Sequence, residues 1–487
     1  MNNFFFKSFK INYILILIIF SLCLSIINAK DNLKKFDTNH VDSDGNLYHQ
    51  MIKNDALRYF SHGYEIKKDL KNGKNYFETG RKHFTKYLFP RIIAAYYFFF
   101  DKDLFENNEI ERIKIGDHDN YLFIQSLIYY LSVIYLYTQI KERYSNRKIF
   151  FVIGFLCLEP TIFQYHGTFW SETIFFSIQI LLLGLVLNNT KKNTRYFAIG
   201  VALGLMALQR TPGFFYILII IFYFYWSMGK EFNKKISLII IPYLFIIFFT
   251  GYHNLIRSNK FYFMPSEVKA VAHAYIINKV LNENEFNQEK IKTLNWIKDN
   301  NFKINYKDIE GINYSRYAFR FCEDSHSKKE NEDYFQICSY LKDRSIKIIS
   351  QNIFPTVIYV CKRSIHFIIL NPFHIFTDHK FNSGKKYYES KLKDKLIPYR
   401  IIYSLFLYLI CITGLISIYR NKSKEKNMLF LILFSILYYF LILSWHGNSR
   451  YFVPNLIYMS FLFSYGLDKI LDSISLKFNN KNINILK

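Results

Sequence analysis

Long apolar blocks divide the sequence, and they constrain its fold more than any other feature. The first, "INYILILIIFSLCLSIINA" (11–29), is close to the ~20 residues that a helix needs to cross a bilayer. Similar blocks follow at 121–139, 149–166, 170–188, 196–210, 212–228, 236–252, 401–419, 428–445 and 452–467. The pattern predicts an all-α polytopic membrane protein, a bundle of about ten transmembrane helices. Block 11–29 is either a retained anchor, which its length favours, or a cleaved signal peptide.

The charge distribution gives the predicted bundle an orientation. The formal net charge is +25, but the basic residues collect in short loops between apolar blocks, which argues against a nucleic-acid-binding protein. With the N-terminus inside, the cytoplasmic loops are rich in Lys and Arg, as the positive-inside rule requires. These loops are 141–148, 189–195, 229–235 and 420–426, joined by the basic C-terminal tail.

Two weaker apolar runs, 87–100 and 354–372, are predicted to lie on the outer face. The second carries Lys362, Arg363 and His366 in its middle. Counting it as a span would move loop 420–426 and the C-terminal tail outside, against the positive-inside rule. We therefore expect both runs to form amphipathic interfacial helices, whose basic side chains extend to the water.

The chain is predicted to form one membrane domain with two outer elaborations, 30–118 and 253–399. This gives three regions: spans one to seven (1–252), an outer region (253–399), and three last spans with a cytoplasmic tail (400–487). The six cysteines include no CxxC pair, so no zinc or redox motif is present. A disulfide between Cys322 and Cys338, which share the second outer segment, stays open.

Ionisable residues differ between the two predicted faces. The inner loops carry plain Lys and Arg, whereas the outer ends of the spans also carry acids and histidines. Charged groups cost about 2.5–3.5 kcal/mol at a helix centre, and they tend to persist where they pair or bind something. Because arginine offers a planar fork that suits phosphate, this end is predicted to bind a phosphate-bearing lipid beside a base. The candidate residues are Asp42, Asp44, Tyr48, His166, Glu172, Arg210, Asn254, Arg257, Arg450 and Tyr451.

Several candidates also have a purely structural interpretation. Arg210 or Arg450 alone could extend to lipid headgroups. Glu172 could simply favour the first turn of its helix. Asp42 and Asp44 stand in "DSDG", which is ordinary turn chemistry. From the sequence alone both interpretations stay open.

Six short elements, taken in order along the chain, resemble one family. They are "DGNLY" (Asp44 and Tyr48, with Gly45 where an acid is common), "KYLFPRIIAAYY" (Pro90), "EPTIFQYHGTFWSET" (Pro160, Ser171, Glu172), "GVALGLMALQRTP" (Gly200, Gly204, Leu208, Arg210, Pro212), "GYHNLIRSNKF", and "RYFVP" (Arg450, Tyr451, Pro454). Together they resemble the GT-C glycosyltransferases, specifically the bacterial relatives of protein O-mannosyltransferases and of the aminoarabinose transferase that modifies lipid A.

The resemblance implies a function and a place for it. An enzyme of this kind would move a sugar, hexosyl or pentosyl, from a polyprenyl-phosphate donor to a lipid, glycan or protein acceptor of the cell envelope. The reaction would take place on the periplasmic side of a bacterial inner membrane. Arg210, Arg257 and Arg450 would contact the donor phosphate, and Glu172 and His166 would line the site.

The resemblance also assigns the catalytic base. Asp44 would accept the proton of the acceptor hydroxyl, and a well-placed general base is typically worth ~10²–10⁴-fold in rate. Asp42 is the competing base, because the acidic partner expected at position 45 is missing. No cofactor is firmly implied. A divalent cation near Asp42, Asp44, His49 and His166 stays open, although their spacing is no ligand signature.

Two other functions stay open at this point. An O-antigen-type polymerase or ligase would also use lipid-linked sugars and outer-face arginines, with no need for Asp44. A flippase or transporter would show inverted repeats and broken helices at mid-membrane. No repeat stands out in the sequence, and its polar groups gather at one edge of the spans. The sugar, the length of the lipid, the acceptor class and the oligomeric state do not follow from the sequence.

Overall fold

All ten apolar blocks overlap helices in the structure, which is a computed structural model. It describes residues 2–36, 40–41, 47–48, 55–80, 87–100, 119–188, 190–259, 261–263, 272–302, 331–370, 372, 386–420, 425–444 and 449–485. Within these residues the all-α fold is confirmed. The exception is a two-residue antiparallel ladder that pairs strand β1 (His40–Val41) with strand β2 (Leu47–Tyr48).

The helices differ widely in length. The α-helices are α1 (Asn2–Phe36), α2 (Asp55–Lys71), α3 (Leu88–Phe99), α4 (Asp119–Ile140), α5 (Asn146–Leu158), α6 (Pro160–Phe163), α7 (Glu172–Leu187), α8 (Asn193–Gln209), α9 (Tyr216–Met228), α10 (Ile236–Ser258), α11 (Asn278–Val280), α12 (Glu283–Asp299), α13 (Asn331–Gln351), α14 (Ile353–Ile368), α15 (Lys386–Arg420), α16 (Lys426–Leu443) and α17 (Val453–Ile485). Short 3-10 helices cover Tyr76–Glu78, Thr211–Gly213, Gly229–Lys234 and Ser449–Phe452, and one π-helical turn covers His273–Ile277.

Six stretches of the described residues are long and apolar enough to cross a membrane. They are Tyr13–Lys30, Asn120–Ile140, Thr211–Lys234, Ile236–Arg257, Leu396–Arg420 and Lys426–Leu443. The other predicted spans lie on helices that are shorter or more polar, such as α7, which has 16 residues. A polytopic bundle is therefore confirmed, while the count of about ten stays a prediction.

Glycines set the closest helix contacts of the bundle. A Cβ added to Gly200 on α8 would lie 2.3 Å from the carbonyl oxygen of Ile239 on α10, and one added to Gly204 would lie 2.7 Å from Ile246. The later glycine of α8 thus meets the later residue of α10, so the two helices run in the same direction. Small residues at such crossings allow backbones to approach closely, as in other membrane bundles.

The bundle has two ends of different character. We call the end at which α7 begins and α8 and α10 finish the site end, and the opposite end the loop end. The connections α4–α5, α7–α8, α9–α10 and α15–α16, which contain the four basic loops, all lie at the loop end. There Arg195 donates to the last carbonyls of α7, at Leu185 and Val186, each over 2.7 Å. This cation stabilises the negative end of the α7 dipole.

The described helices of both outer elaborations predicted from the sequence stand at the site end. In the first, α2 packs on α3, and the ring of Phe60 contacts those of Tyr97 and Phe169. In the second, α12 and α13 are joined by the Arg344–Glu289 ion pair and by the stacked rings of Trp296 and Tyr340, with centroids 3.9 Å apart.

The two ambiguous apolar runs form helices that do not qualify as spans. Run 354–372 contains α14, an amphipathic helix with an exposed apolar face, and run 87–100 contains α3, which is mostly buried against α2. Their position at a membrane interface stays a prediction. So does the three-region division, because α10 continues across residue 252 and α15 across residue 399. On α13, Cys338 is disulfide-bonded, and its partner lies outside the described residues.

Candidate functional site

The first cluster of buried charges centres on Glu172, at the start of α7. Its side chain is fully buried, and its Oε1 accepts a hydrogen bond from Nη1 of Arg210 at 3.0 Å. The same oxygen accepts a second hydrogen bond from Nε of Arg450. Both arginines are nearly buried as well, with 5% and 8% of their surface exposed. One carboxylate oxygen therefore joins α7, the end of α8 and the 3-10 helix Ser449–Phe452.

Aromatic rings enclose this cluster, which we call the Glu172 cluster. The guanidinium carbon of Arg450 lies 3.9 Å from the centre of the Trp170 ring. That of Arg210 lies 5.5 Å from the Tyr451 ring. Such faces attract a cation and keep water away from the ion pairs. Arg210 and Arg450 therefore turn inward to Glu172 and do not extend to lipid headgroups.

A second cluster of cations stands at the same end, around the final turns of α10. Arg91 of α3 donates from Nε to the Tyr76 hydroxyl at 3.1 Å and from Nη1 to the Tyr87 carbonyl at 3.2 Å. Its Nη2 lies 3.1 Å from Nδ1 of His253 on α10. The guanidinium carbon lies 3.7 Å from the centre of the Tyr87 ring. The guanidinium group of Arg91 is therefore held by polar contacts from all three of its nitrogens and by one aromatic ring on its face.

Arg257 lies one turn beyond His253 and completes this cluster. Its Nη2 donates to Oδ1 of Asn254 at 2.7 Å and contacts the Tyr262 hydroxyl at 3.4 Å. Its Nε and Nη1 are buried and have no hydrogen-bond partner among the described residues. Such a cation is costly to bury unless something neutralises it.

The two clusters differ in net charge. Among the described residues, the Glu172 cluster has two cations and one carboxylate, whereas Arg91 and Arg257 make no ion pair with a carboxylate. The two guanidinium groups are close enough for each charge to act on the other. Burial raises the pKa of Tyr87 above its ordinary value, against the pull of Arg91, so this phenol stays neutral. The second cluster, which we call the Arg91–Arg257 pair, is thus suited to an anion.

The structure brings together some of the candidate residues predicted from the sequence and separates others. Glu172, Arg210, Arg450 and Tyr451 meet in the Glu172 cluster, and Asn254 and Arg257 meet in the other. His166 belongs to neither. It is fully buried, 4.2 Å from the ring of Tyr129, and neither ring nitrogen has a hydrogen-bond partner among the described residues. Its role in the site stays a prediction.

The candidate bases lie outside the described residues. Asp42 and Asp44 fall between the two strands of the β1–β2 ladder, at positions for which the structure gives no description. Tyr48 is the last residue of β2 and pairs in register with His40, but its side chain is not described. The described residues contain no group of three His, Cys, Asp or Glu that could hold a metal ion. His49 is also outside them, so metal dependence stays open.

Sequence reasoning missed Arg91, Tyr76, Tyr87 and Trp170 as parts of the site. A signal for Arg91 was present, because it is the only charged residue in the apolar run "YLFPRIIAAYYFFF". That run was interpreted only through its hydropathy, as an interfacial helix whose arginine extends to water. The structure instead buries Arg91 against the end of α10.

Comparisons with known proteins agree with the resemblance drawn from the motifs. A family model described as dolichyl-phosphate-mannose-protein mannosyltransferase matches residues 113–253, under a third of the chain. The matched stretch includes Glu172, Arg210 and His253. The predicted similarity to GT-C membrane glycosyltransferases is thus confirmed.

The chain was also compared with solved structures and with curated proteins. One solved structure is similar, the archaeal oligosaccharyltransferase AglB from Archaeoglobus fulgidus in complex with an inhibitory peptide and a dolichol-phosphate. The identity is 13% and the TM-score 0.42, with 95% of this chain and 52% of that chain covered. This chain therefore spans about half the length of that one. No curated protein matches the chain.

Proposed function

We propose that this protein is an integral membrane glycosyltransferase that moves a sugar from a polyprenyl-phosphate donor to a cell-envelope acceptor on the extracytoplasmic face. The observation that carries the proposal is the Arg91–Arg257 pair: two buried cations, with no described carboxylate to neutralise them, at one end of a membrane bundle. The family match over residues 113–253 supports the reaction class.

The donor phosphate is best placed at the Arg91–Arg257 pair. Arg257 offers Nε and Nη1, and Nη1 of Arg91 uses only one of its two N–H donors on an acceptor of the described residues. A phosphate between them would receive charge-assisted hydrogen bonds and neutralise both cations. By contrast, Glu172 already partly neutralises Arg210 and Arg450. This refines the expectation that all three arginines predicted from the sequence contact the phosphate.

In the proposed enzyme, the Glu172 cluster does not bind the phosphate but supports the site. Its ion pairs fix the end of α8 and the start of α17 at the same end of the bundle as the proposed phosphate site. Its described residues, two cations and one carboxylate, also add a favourable field for the leaving phosphate, which gains negative charge during transfer. Glu172 therefore contributes by holding two arginines in place.

The proposed reaction is an in-line displacement at the anomeric carbon of the sugar. The acceptor hydroxyl oxygen forms the new bond to that carbon, and the bond from the carbon to the phosphate oxygen breaks. The bonding pair leaves with the polyprenyl phosphate, while the hydroxyl proton passes to a carboxylate. We assign that carboxylate to Asp44, with Asp42 as the alternative, on the resemblance of "DGNLY" to the family motif.

Two observations support the extracytoplasmic face. The four basic loops all lie at the loop end, so the positive-inside rule turns the site end away from the cytoplasm. In addition, Cys338 on α13, at the site end, is disulfide-bonded, and disulfides persist in oxidising compartments. A bacterial inner membrane with a periplasmic site fits both.

The proposal can be tested on the full chain in nanodiscs with radiolabelled polyprenyl-phosphate sugars and envelope lipids as acceptors. Wild type should transfer label, and Arg257→Ala should raise the donor KM at least about tenfold, because a charge-assisted contact is lost. Arg420→Ala, at the loop end, is the matched control and should behave as wild type. Movement of donor across the membrane without any transfer would instead identify a flippase. An unchanged donor KM in Arg257→Ala would refute the assigned phosphate site.

A further inference from the structure

His253 is fully buried, and both of its ring nitrogens have a partner. Nδ1 lies 3.1 Å from Nη2 of Arg91, and Nε2 lies 3.2 Å from the carbonyl oxygen of Tyr76 and 3.4 Å from the same Nη2. An arginine only donates and a carbonyl only accepts. A neutral imidazole that is protonated at Nε2 satisfies the two shorter contacts, because it donates to the Tyr76 carbonyl and accepts from Arg91 at Nδ1.

The surroundings of His253 favour this neutral form. The charges of Arg91 and Arg257 both act on the ring, and the other titratable groups of the described residues that face it are the phenols of Tyr76 and Tyr87. The apolar ring of Phe77 packs against it as well. The nearest acid of the adjoining 3-10 helix, Glu78, is exposed. A proton at Nδ1 would set an N–H group against the guanidinium and remove the acceptor on which Arg91 depends.

His253 and its neighbour on α10 hold the two arginines of the pair. The next residue, Asn254, accepts the hydrogen bond that orients Arg257. Consecutive residues of one helical turn therefore hold both guanidinium groups, although Arg91 comes from a different helix. The other two anchors of Arg91 are Tyr76, which is 39% exposed, and the Tyr87 carbonyl at the start of its own helix. Of its three anchors, only His253 ties Arg91 to the helix that carries Arg257.

We infer that His253 is a positioning residue for donor binding: it holds the Arg91 guanidinium at a fixed place relative to Arg257, so that both meet one phosphate. The inference rests on the proposed function, since it assumes that a phosphate binds between the two arginines. His253 itself does not contact the phosphate and acts through Arg91.

A double-mutant cycle on the full chain in nanodiscs tests this role. The probe is a short-chain prenyl methyl phosphate, a diester whose charge does not change near neutral pH, and the measurement is its Kd. His253→Ala should weaken binding about tenfold, the worth of one hydrogen bond to a charged group. The double variant with Arg91→Ala should bind no more weakly than Arg91→Ala alone, because His253 then has nothing to position.

A conservative variant separates positioning from packing. Asn at position 253 keeps an acceptor oxygen near the place of Nδ1, so His253→Asn should bind within about threefold of wild type. His253→Leu fills the same space without an acceptor, and it should match His253→Ala; it also replaces that variant if Ala at this position does not fold. Independent effects of His253→Ala and Arg91→Ala, which multiply in the double variant, would overturn the inference.

Arg257→Ala distinguishes failure of the inference from failure of the proposed function. If Arg257→Ala does not weaken probe binding, the phosphate site itself is wrong. If Arg257→Ala weakens binding and His253→Leu does not, the phosphate site stands and the positioning role alone is refuted.

Discussion

Glu172 and Arg210 face each other across α7 and α8 with 3.0 Å between Oε1 and Nη1, and both side chains are buried. The same oxygen also holds Arg450. Glu172→Gln removes the carboxylate charge that two buried cations share, and breaking a buried ion pair costs about 3–5 kcal/mol. We expect a markedly lower unfolding temperature for this variant in detergent.

A surface ion pair provides the control for Glu172→Gln. Asp468→Asn removes one acid from the exposed pair with Arg147 at the loop end, where such pairs are worth at most about 1 kcal/mol. If both substitutions lowered the unfolding temperature equally, the Glu172 cluster would stabilise the fold no more than a surface ion pair does.

Gly414 and Gly466 mark the closest crossing of the bundle, between α15 and α17. A Cβ at Gly414 would lie 1.8 Å from the carbonyl oxygen of Leu462, and one at Gly466 would lie 1.9 Å from that of Ile410. Because backbone atoms stand in the way, Gly414→Ala must separate the two helices and should destabilise the protein. Gly154→Ala is the matched control, since its added Cβ meets only Leu17 at 3.7 Å. It should be neutral or stabilising by up to about 1 kcal/mol, and thermal unfolding of both variants measures the difference.

The outer lobe formed by α12 and α13 should lose stability in acid because of His273. Burial and the nearby charge of Arg344 lower the pKa of His273 to about 4, while an unfolded histidine has a pKa of about 6.5. The unfolded state therefore binds the proton first, so stability falls as the pH drops below about 6.5, by about 2 kcal/mol between pH 7 and pH 5. The hydrogen-exchange protection factors of α12 and α13, which are corrected for the slower intrinsic exchange in acid, should fall over this range in wild type. His273→Asn should remove the pH dependence, and an unchanged acid profile in that variant would rule out His273 as its source.

The predicted orientation can be checked by reporter fusions. Fusions at residues 145 and 423 lie in connections at the loop end and should both report the cytoplasm, whereas a fusion at residue 300, after α12, should report the outer side. A split result for 145 and 423 would require an odd number of spans between them and would end the ten-span prediction.

The sequence was sufficient to predict the helices of the apolar blocks and to single out Glu172, Arg210 and Arg450, but not how the cations are paired. Apolar block length predicts such helices directly, and the elements "WSET", "LQRTP" and "RYFVP" located the three residues. Which arginine meets an acid depends on helix packing, which the local sequence does not encode. Arg91 was missed for the same reason: it is buried by contact with His253, which is 162 positions away along the chain.

We expect the catalytic base to be a carboxylate of the "DSDG" stretch. Asp44→Asn keeps the size of the side chain and removes the carboxylate, so transfer should fall by about 10²–10⁴-fold if Asp44 takes the acceptor proton. Donor affinity should stay unchanged, because the phosphate binds at the Arg91–Arg257 pair. Asp42→Asn is the matched variant two positions away in the same "DSDG" stretch, and it should keep most of the activity. If the two effects are reversed, Asp42 is the base. If both variants keep full activity, neither carboxylate takes the proton, and the turn interpretation of "DSDG" is sufficient.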